Sequence, residues 1–498
     1  MRYSSAAGRW VVAATVLGSG MAAIDGTVVG IALPSIGRQF HAPLSTLQWV
    51  VTGYTLSLAA LLLLGGSLGD REGRRLAFNV GVVWFAVASA ACALAPGTDV
   101  LIATRVLQGV GAALLTPGSL AIIQASFDPD DRSRAIGAWS GLGGVATAAG
   151  PLLGGYLISA ASWRWIFVIN VPLGALVLFA SMRHVPESRD PGAGRRIDVP
   201  GAVLAVVGLA GVTFALIEGP AVGWTAPVVA SMLGAGGAGL IAFVFVERRS
   251  PAPMLPLALF RRRQFTVTGA VTFLVYAALG GVLFLLPVEL QVVNHYTPLE
   301  SGVALLPLTV CMLLLSARSG QLATRIGPRL QMSVGPLVVG AGLALLARST
   351  TDSSYVSGVL PAMVVFGLGL ATTVAPLTTT ALGAVTDEHA GLASAVNNDV
   401  ARVGGLIAVA VLPAMAGISG NSYLHPGELA GGFRSAVLIA ASWCVVGGLV
   451  SAIGIRNPEP PAKGPSGSPQ VDTTPLSLHC SLDATPLESQ VPRTARRR

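Results

Sequence analysis

The sequence predicts an all-α polytopic membrane protein that crosses the bilayer fourteen times and is built from two related halves. Three observations carry this. Of 498 residues, 53% are hydrophobic and 11% charged, with a mean hydropathy of +0.70, whereas about a quarter of a soluble domain is charged. Apolar runs near twenty residues, the length that crosses a bilayer, follow one another along most of the chain. A charged stretch between two such runs also recurs: Gly66 to Arg75, GSLGDREGRR, matches Gly320 to Arg329, GQLATRIGPR, at a constant offset of 254. The offset pairs Gly66 with Gly320, Leu68 with Leu322, Arg71 with Arg325, Gly73 with Gly327 and Arg75 with Arg329. Self-similarity at one fixed offset is the mark of an internal repeat.

The apolar runs place spans 1 to 14 at roughly 10–33, 47–69, 76–96, 99–121, 134–160, 163–183, 198–217, 225–247, 265–290, 301–323, 329–348, 355–382, 391–415 and 433–455. The offset equates span 2 with span 10, so spans 7 and 8 stand between two sets of six. The expected organisation is a first six-helix bundle over 1–185, two linker spans with flanking loops over 186–262, a second bundle over 263–456, and a disordered tail over 457–498 rich in Pro, Ser, Gly and Thr. Between spans 2 and 3, about ten polar residues turn the chain, with Gly69 and Gly73 permitting the tight turns.

Arginine is distributed unequally between the loops. Arg2, Arg9, Arg71, Arg74, Arg75, Arg132, Arg134, Arg183, Arg189, Arg195, Arg196, Arg248, Arg249, Arg261 to Arg263, Arg325 and Arg329 fall on one side, against Arg38, Arg164, Arg348 and Arg434 on the other. The positive-inside rule then puts both termini in the cytoplasm. The loop of Asp387, Glu388 and His389 belongs to the cytoplasmic side yet carries no Arg or Lys. The net charge of +8 follows from this topology, because the arginines form no basic helix or aromatic platform for nucleic acid. Cys92, Cys311 and Cys444 lie in apolar runs and Cys480 in the tail, with neither disulfide nor metal spacing. The first run is too long for a signal-peptide core and stays as a span.

Charges inside spans cost about 2.5–3.5 kcal/mol each on insertion scales, so each asks for a partner or a use. Asp25 lies about nine residues, roughly 13 Å, from the outer end of span 1, and Arg105 about six residues, roughly 9 Å, into span 4. At nearly one depth they can pair across a bundle interior, and protonating the acid breaks the pair. Asp399 and Arg402 follow Asn397 and Asn398 on span 13 and are spaced i, i+3 on one face, where they can neutralise each other or meet a substrate or proton. Glu218, Glu247 and Glu289 stand near helix ends, where a carboxylate reaches water, and Glu289 is the strongest further candidate of the three. Arg318 is placed to snorkel towards the cytoplasm. Span 5 carries Gly141, Gly143, Gly144, Gly150, Gly154 and Gly155, with Pro151 expected to bend it. Trp163, Arg164 and Trp165 read as an interfacial anchor.

Two catalytic-looking matches fail on context. Gly65 to Gly69 reads G-x-S-x-G without a preceding strand, and Gly141, Gly143 and Ala146 read G-x-G-x-x-A inside a span. No P-loop or H-E-x-x-H is present.

Five motifs, in order, resemble the major facilitator superfamily and within it the fourteen-span drug/proton antiporters. They are Asp25 to Pro34 (DGTVVGIALP, with Gly30 where an Asn is usual), Gly66 to Arg75, Arg105 to Gly111 (RVLQGVG), Gly150 to Gly155 (GPLLGG) and Trp163 to Pro172 (WRWIFVINVP). The resemblance covers about Trp10 to Ile455. It implies the major facilitator fold, proton coupling through Asp25 and Arg105, a cytoplasmic gate of Gly66, Gly69, Asp70, Arg71, Gly73 and Arg74, and a hinge at Gly150, Pro151, Gly154 and Gly155. Thr324 stands where the second-half gate would hold its acid. Asp399 lies outside the family pattern and is a candidate for substrate choice.

The function this implies is export of amphipathic drugs or antibiotics across a bacterial cytoplasmic membrane in exchange for protons. The partners are a small amphipathic molecule, protons and lipid, with no cofactor, no metal and no nucleic acid, in a monomer. A transporter dedicated to one metabolite or self-made antibiotic differs only in pocket lining. A membrane enzyme is disfavoured because His184, His295, His389, His425 and His479 fall in loops or tail. A nontransporting sensor would tolerate Asp25→Asn.

Overall fold

A computed structural model describes residues 1–190, 198–251, 253–348, 354–385 and 390–457. Among them, fourteen helices are long and apolar enough to cross a membrane, and no strand occurs. Spans 1 to 14 are Ala6–Phe40, Leu44–Glu72, Arg74–Ala93, Thr98–Ser126, Pro129–Ala160, Trp165–His184, Val199–Val222, Pro227–Arg249, Arg263–Val292, Pro298–Ile326, Pro328–Leu346, Val359–Gly383, Gly391–Met415 and Pro426–Gly454. The expected tail from Pro458 onward, the loop at 387–389, and Arg195 with Arg196 lie outside the described residues.

Most helices outrun their apolar runs because the backbone stays hydrogen-bonded after the side chains turn polar. Span 2 shows this best. Its helix continues through Gly66, Gly69 and Asp70 to Glu72 and the next begins at Arg74, so the expected ten-residue turn is a single residue, Gly73. Span 5 runs unbroken from Pro129 to Ala160 with Pro151 inside it.

We call the side of the molecule carrying Met1 and Asn457 the terminal face and the other the opposite face. In the first half span 4 packs between spans 2 and 3, and span 1 lies against spans 5 and 6; in the second half span 11 packs on spans 12 and 14, and span 9 on spans 13 and 14. The halves meet where span 2 crosses span 13, span 5 crosses span 10, and span 1 lies on span 9. The offset relates span 2 to span 10 and span 5 to span 13, so the first two contacts are copies of one another.

Polar contacts between the halves gather at the opposite face. Gln48 Nε2 donates to the carbonyls of Val409 at 2.6 Å and Ala410 at 3.1 Å, Gln291 Nε2 to that of Ile31 at 2.9 Å, and the Tyr423 hydroxyl to that of Ala42 at 2.7 Å. Spans 5 and 10 touch backbone to backbone there. A Cβ on Gly155 would stand 2.6 Å from the Pro298 carbonyl oxygen, and one on Gly302 would collide with that of Pro151. Gly150 and Gly154 serve a different contact, packing against Thr27 and Val28 of span 1. Towards the terminal face, span 5 has open space around Gly137, Gly141, Gly143 and Gly144.

Spans 7 and 8 pack on each other through Gly208, Gly211, Gly236 and Gly239, and span 7 also touches span 2 and span 13. Trp49 of span 2 donates its Nε1 to Glu218 of span 7 at 2.9 Å.

The repeat extends to atomic detail at its two one-residue turns. Gly73 and Gly327 both have positive φ, 131° and 83°. The chain leaving span 6 places Glu187 beside Gly73, where it accepts from the Arg75 and Leu76 amides at 3.0 and 3.1 Å, an anion at a helix N-terminus. The chain leaving span 14 places Asn457 beside Gly327, where it accepts from the Arg329 amide at 3.0 Å. Arg75 in turn bonds the Val185 carbonyl and Arg329 that of Ala452. A Cβ at Gly73 would stand 2.8 Å from a Glu187 oxygen. Gly73→Ala is therefore expected to lose about 1–3 kcal/mol from strain, read as a lower melting temperature in detergent. Gly141→Ala, where the space is open, should leave melting unchanged or raised.

Candidate functional site

Asp25 is fully buried and Arg105 is 1% exposed. They meet: Arg105 Nη1 donates to Asp25 Oδ2. Span 4 delivers two groups to this point, because Arg105 and Gln108, spaced i, i+3, lie on one face. Arg105 Nη1 also donates to Gln108 Oε1 at 2.7 Å, and its Nε to the Val50 carbonyl of span 2 at 3.1 Å. Gln108 Nε2 donates to Asp25 Oδ1 at 2.8 Å and to Ser89 Oγ of span 3 at 2.6 Å. Asn170 of span 6 donates to the same two acceptors at 3.3 and 3.1 Å. The guanidinium lies 4.4 Å from the centre of the Tyr54 ring, whose hydroxyl donates to the Ala22 carbonyl at 3.1 Å.

Five spans of one half thus converge on one carboxylate and one guanidinium, and every buried oxygen of Asp25 has a donor. Sequence reasoning paired the two charges but assigned nothing to Gln108, Asn170, Ser89 or Tyr54. Gln108 and Asn170 stand in two motifs quoted above; Ser89 and Tyr54 have no sequence signal.

The second half is built differently. Asp399 and Arg402 share a face of span 13, yet no hydrogen bond or ion pair joins them among the described residues: Asp399 Oδ1 and Arg402 Nε are buried without partners. Of the two expected readings, mutual neutralisation or contact with a substrate or proton, the first is not realised as a direct hydrogen bond or ion pair, although Arg402 lies within electrostatic range of Asp399. Arg402 also lies within electrostatic range of Tyr54 of span 2 and Tyr276 of span 9. Asn397 instead accepts from Thr272 of span 9 at 2.8 Å and holds those two spans together. Asn398 is exposed and bonds only the Ser394 carbonyl of its own helix.

Glu289 and Glu247 are 6% and 3% exposed, so neither reaches water as its place near a helix end led one to expect, and each leaves one oxygen unpartnered. Trp163 is likewise buried and donates to Gln39 at 2.6 Å, leaving Trp165 as the exposed aromatic of that pair.

The residues expected to form a cytoplasmic gate stay within their own half. Asp70 pairs with Arg74 at 2.7 Å and Arg71 with Glu72 at 3.1 Å. Among the described residues, no hydrogen bond or ion pair carries Gly66–Arg74 to the second half. This agrees with halves that meet at the opposite face.

Two repeat-related helical bundles around a polar site at mid-depth define a membrane transport fold, with catalytic chemistry nowhere required. The profile of the Major Facilitator Superfamily matches residues 15–410, and the chain belongs to that superfamily. It is 39% identical over 400 residues to the multidrug resistance protein Stp of Mycobacterium tuberculosis, covering 80% of this chain and 74% of that one. To the tetracenomycin C resistance and export protein of Streptomyces glaucescens it is 37% identical over 404 residues, with coverages of 80% and 74%. The methylenomycin A resistance protein of Bacillus subtilis is 34% identical over 426 residues, with coverages of 85% and 91%. Among solved structures, an inward-facing, unoccupied bacterial homologue of the human lysosomal transporter Spinster superposes with a TM-score of 0.63 over 91% of this chain and 97% of that one, at 16% identity. The xylose transporter XylE of E. coli, inward open, gives 0.61 over 90% and 96%, at 15% identity. At such identities the likeness shows the fold alone.

Removing Asp25 alone leaves a buried, uncompensated cation, a loss of about 3–5 kcal/mol. Asp25→Ala should therefore melt well below wild type in detergent, and Asp25→Ala/Arg105→Met should recover most of the difference. Additive losses in that double-mutant cycle would mean that the two charges are not coupled.

Proposed function

We propose that this protein is a proton-coupled exporter that exchanges amphipathic drugs or natural products for protons by alternating access. The single observation that carries the coupling is the buried, fully partnered Asp25–Arg105 pair. Protonating Asp25 on Oδ2 breaks the ion pair while Gln108 and Asn170 still hold Oδ1. The freed Arg105 keeps Gln108 Oε1, the Val50 carbonyl and the Tyr54 ring face. The network can thus hold both charge states, which a proton carrier needs and a merely structural pair does not. One proton entering down 100 mV supplies about 2.3 kcal/mol, enough for roughly a fiftyfold gradient of a neutral substrate.

The excess of arginine on the terminal face supports cytoplasmic termini. With that orientation the halves close on the outside and open inward, and the end of span 2 with the turn at Gly73, from Gly66 to Arg74, is the gate that meets the second half when the protein turns outward. Gly150, Pro151, Gly154 and Gly155 then lie along the surfaces that move. The organisation we adopt is six spans, two linker spans and six, acting as a monomer. The substrate lies between the halves, and Asp399 and Arg402, each with a buried polar atom that no protein group bonds, are the residues we assign to meet it. An exporter dedicated to one antibiotic is the second reading, favoured by relatives named for tetracenomycin C and methylenomycin A.

The test is efflux of a fluorescent lipophilic cation by inverted vesicles under an imposed proton gradient. Wild type should transport, while Asp25→Asn, folded and inserted, should lose at least tenfold in rate. Equal rates would remove Asp25 from the coupling step. In the same assay Asp399→Asn should weaken handling of the cation several-fold while sparing a neutral substrate; equal losses for both would deny Asp399 a part in substrate choice.

A further inference from the structure

Away from the transport site, the linker hairpin carries a second buried acidic arrangement at the terminal face. Asp198 caps the N-terminus of span 7, its Oδ1 accepting from the Gly201 amide at 2.8 Å. Glu247, in the last turn of span 8, accepts with Oε2 from the Leu255 amide at 3.1 Å, just ahead of the short helix Leu257–Arg261 that leads into span 9. The two carboxyl groups face one another across Gly201: the Asp198 carboxyl carbon and Glu247 Oε1 each lie 2.9 Å from the point where a Cβ on Gly201 would stand. Both are at least nine-tenths buried, at 9% and 3% exposure, and each keeps one buried oxygen with no donor, Asp198 Oδ2 and Glu247 Oε1, the latter facing the space at Gly201.

Two ionised carboxylates cannot occupy so small a buried space without a counter-charge. None is supplied. Arg248 and Arg249 on the same helix are exposed, no described ion pair includes Asp198 or Glu247, and besides Asp198 only the Leu255 and Met254 amides act on Glu247. A divalent cation would want six or more oxygens, and among the described residues no third His, Cys, Asp or Glu joins the pair. We infer that Asp198 and Glu247 form a proton-binding site, one proton on Glu247 Oε1 donated to Asp198 Oδ2, separate from Asp25. A single proton satisfies both orphaned oxygens and halves the charge. It also ties the start of span 7, the end of span 8 and the approach to span 9 into one block. Gly201 is glycine because the acid pair fills the space its side chain would take.

The experiment is infrared spectroscopy of the purified full-length protein in nanodiscs at neutral pH, reading the carboxylic-acid C=O stretch and its shift in deuterated water, with melting temperature measured alongside. Glu247→Gln should remove one protonated-acid band. Asp198→Asn, whose amide lets Glu247 ionise, should remove the same band, and serves where Glu247→Gln does not fold. Asp25→Asn should leave that band in place. Spectra of both variants identical to wild type would overturn the site, as would a rise in wild-type melting temperature on adding magnesium that Glu247→Gln abolishes.

Discussion

Arg105 is the largest side chain fully buried among the described residues, and the first half is arranged around keeping its charge partnered. In a low-dielectric interior a guanidinium needs an anion, acceptors for its remaining N–H groups and no competing cation. Span 1 supplies the anion, span 2 a backbone carbonyl and the Tyr54 ring, and span 4 the adjacent amide of Gln108. The amides of Gln108 and Asn170 then satisfy the second oxygen of the acid, and Ser89 accepts from both. Because so many spans contribute, the depth and rotation of each is set by one site. A shift of any of them by a turn would strand a buried polar group at a cost of about 1–3 kcal/mol.

The second half repeats the backbone of the first without repeating its chemistry. Gly73 and Gly327, Arg75 and Arg329, Glu187 and Asn457 occupy matching places at the two turns, so this part of the duplication is under geometric constraint. The mid-depth charges are under none. Where the first half closes its pair with hydrogen bonds inside one bundle, Asp399 and Arg402 leave Oδ1 and Nε buried without a hydrogen-bond partner. The two halves thus treat their mid-depth charges differently, one fully bonding its carboxylate and the other leaving polar atoms unsatisfied.

Much of this could be read from residues alone. Apolar runs of spanning length, and the offset of 254, gave the fourteen helices and the repeat because hydropathy and turn chemistry are local properties. Asp25 and Arg105 were legible as partners because a charge in an apolar run is conspicuous and depth can be counted along a helix. Gln108, Ser89 and Asn170 were not, since an uncharged polar residue barely moves the hydropathy of its span. Asp399 and Arg402 were left open between pairing and ligand contact for another reason: spacing i, i+3 puts two residues on one face but does not say whether their side chains bond each other. Glu247 and Glu289 show the same limit, as nearness to a helix end says nothing about what covers that end.

The two seams between the halves differ in a way that bears on movement. Spans 5 and 10 touch through Gly155 and Gly302, backbone against backbone. Such a contact resists separation through packing alone and lets one helix tilt over the other at small cost. Spans 2 and 13 are held instead by Gln48, which bonds carbonyls of the facing helix, and span 7 lies across both. Tilting there must break buried hydrogen bonds and carry span 7 along, since Trp49 and Glu218 join it to span 2. The pseudo-symmetric molecule thus has one smooth seam and one latched seam, and its linker hairpin sits on the latched one. Separating the halves away from the smooth seam would also have to release the bonds of Gln291 to Ile31 and of Tyr423 to Ala42, so these buried polar contacts between the halves all stand apart from the Gly155–Gly302 contact.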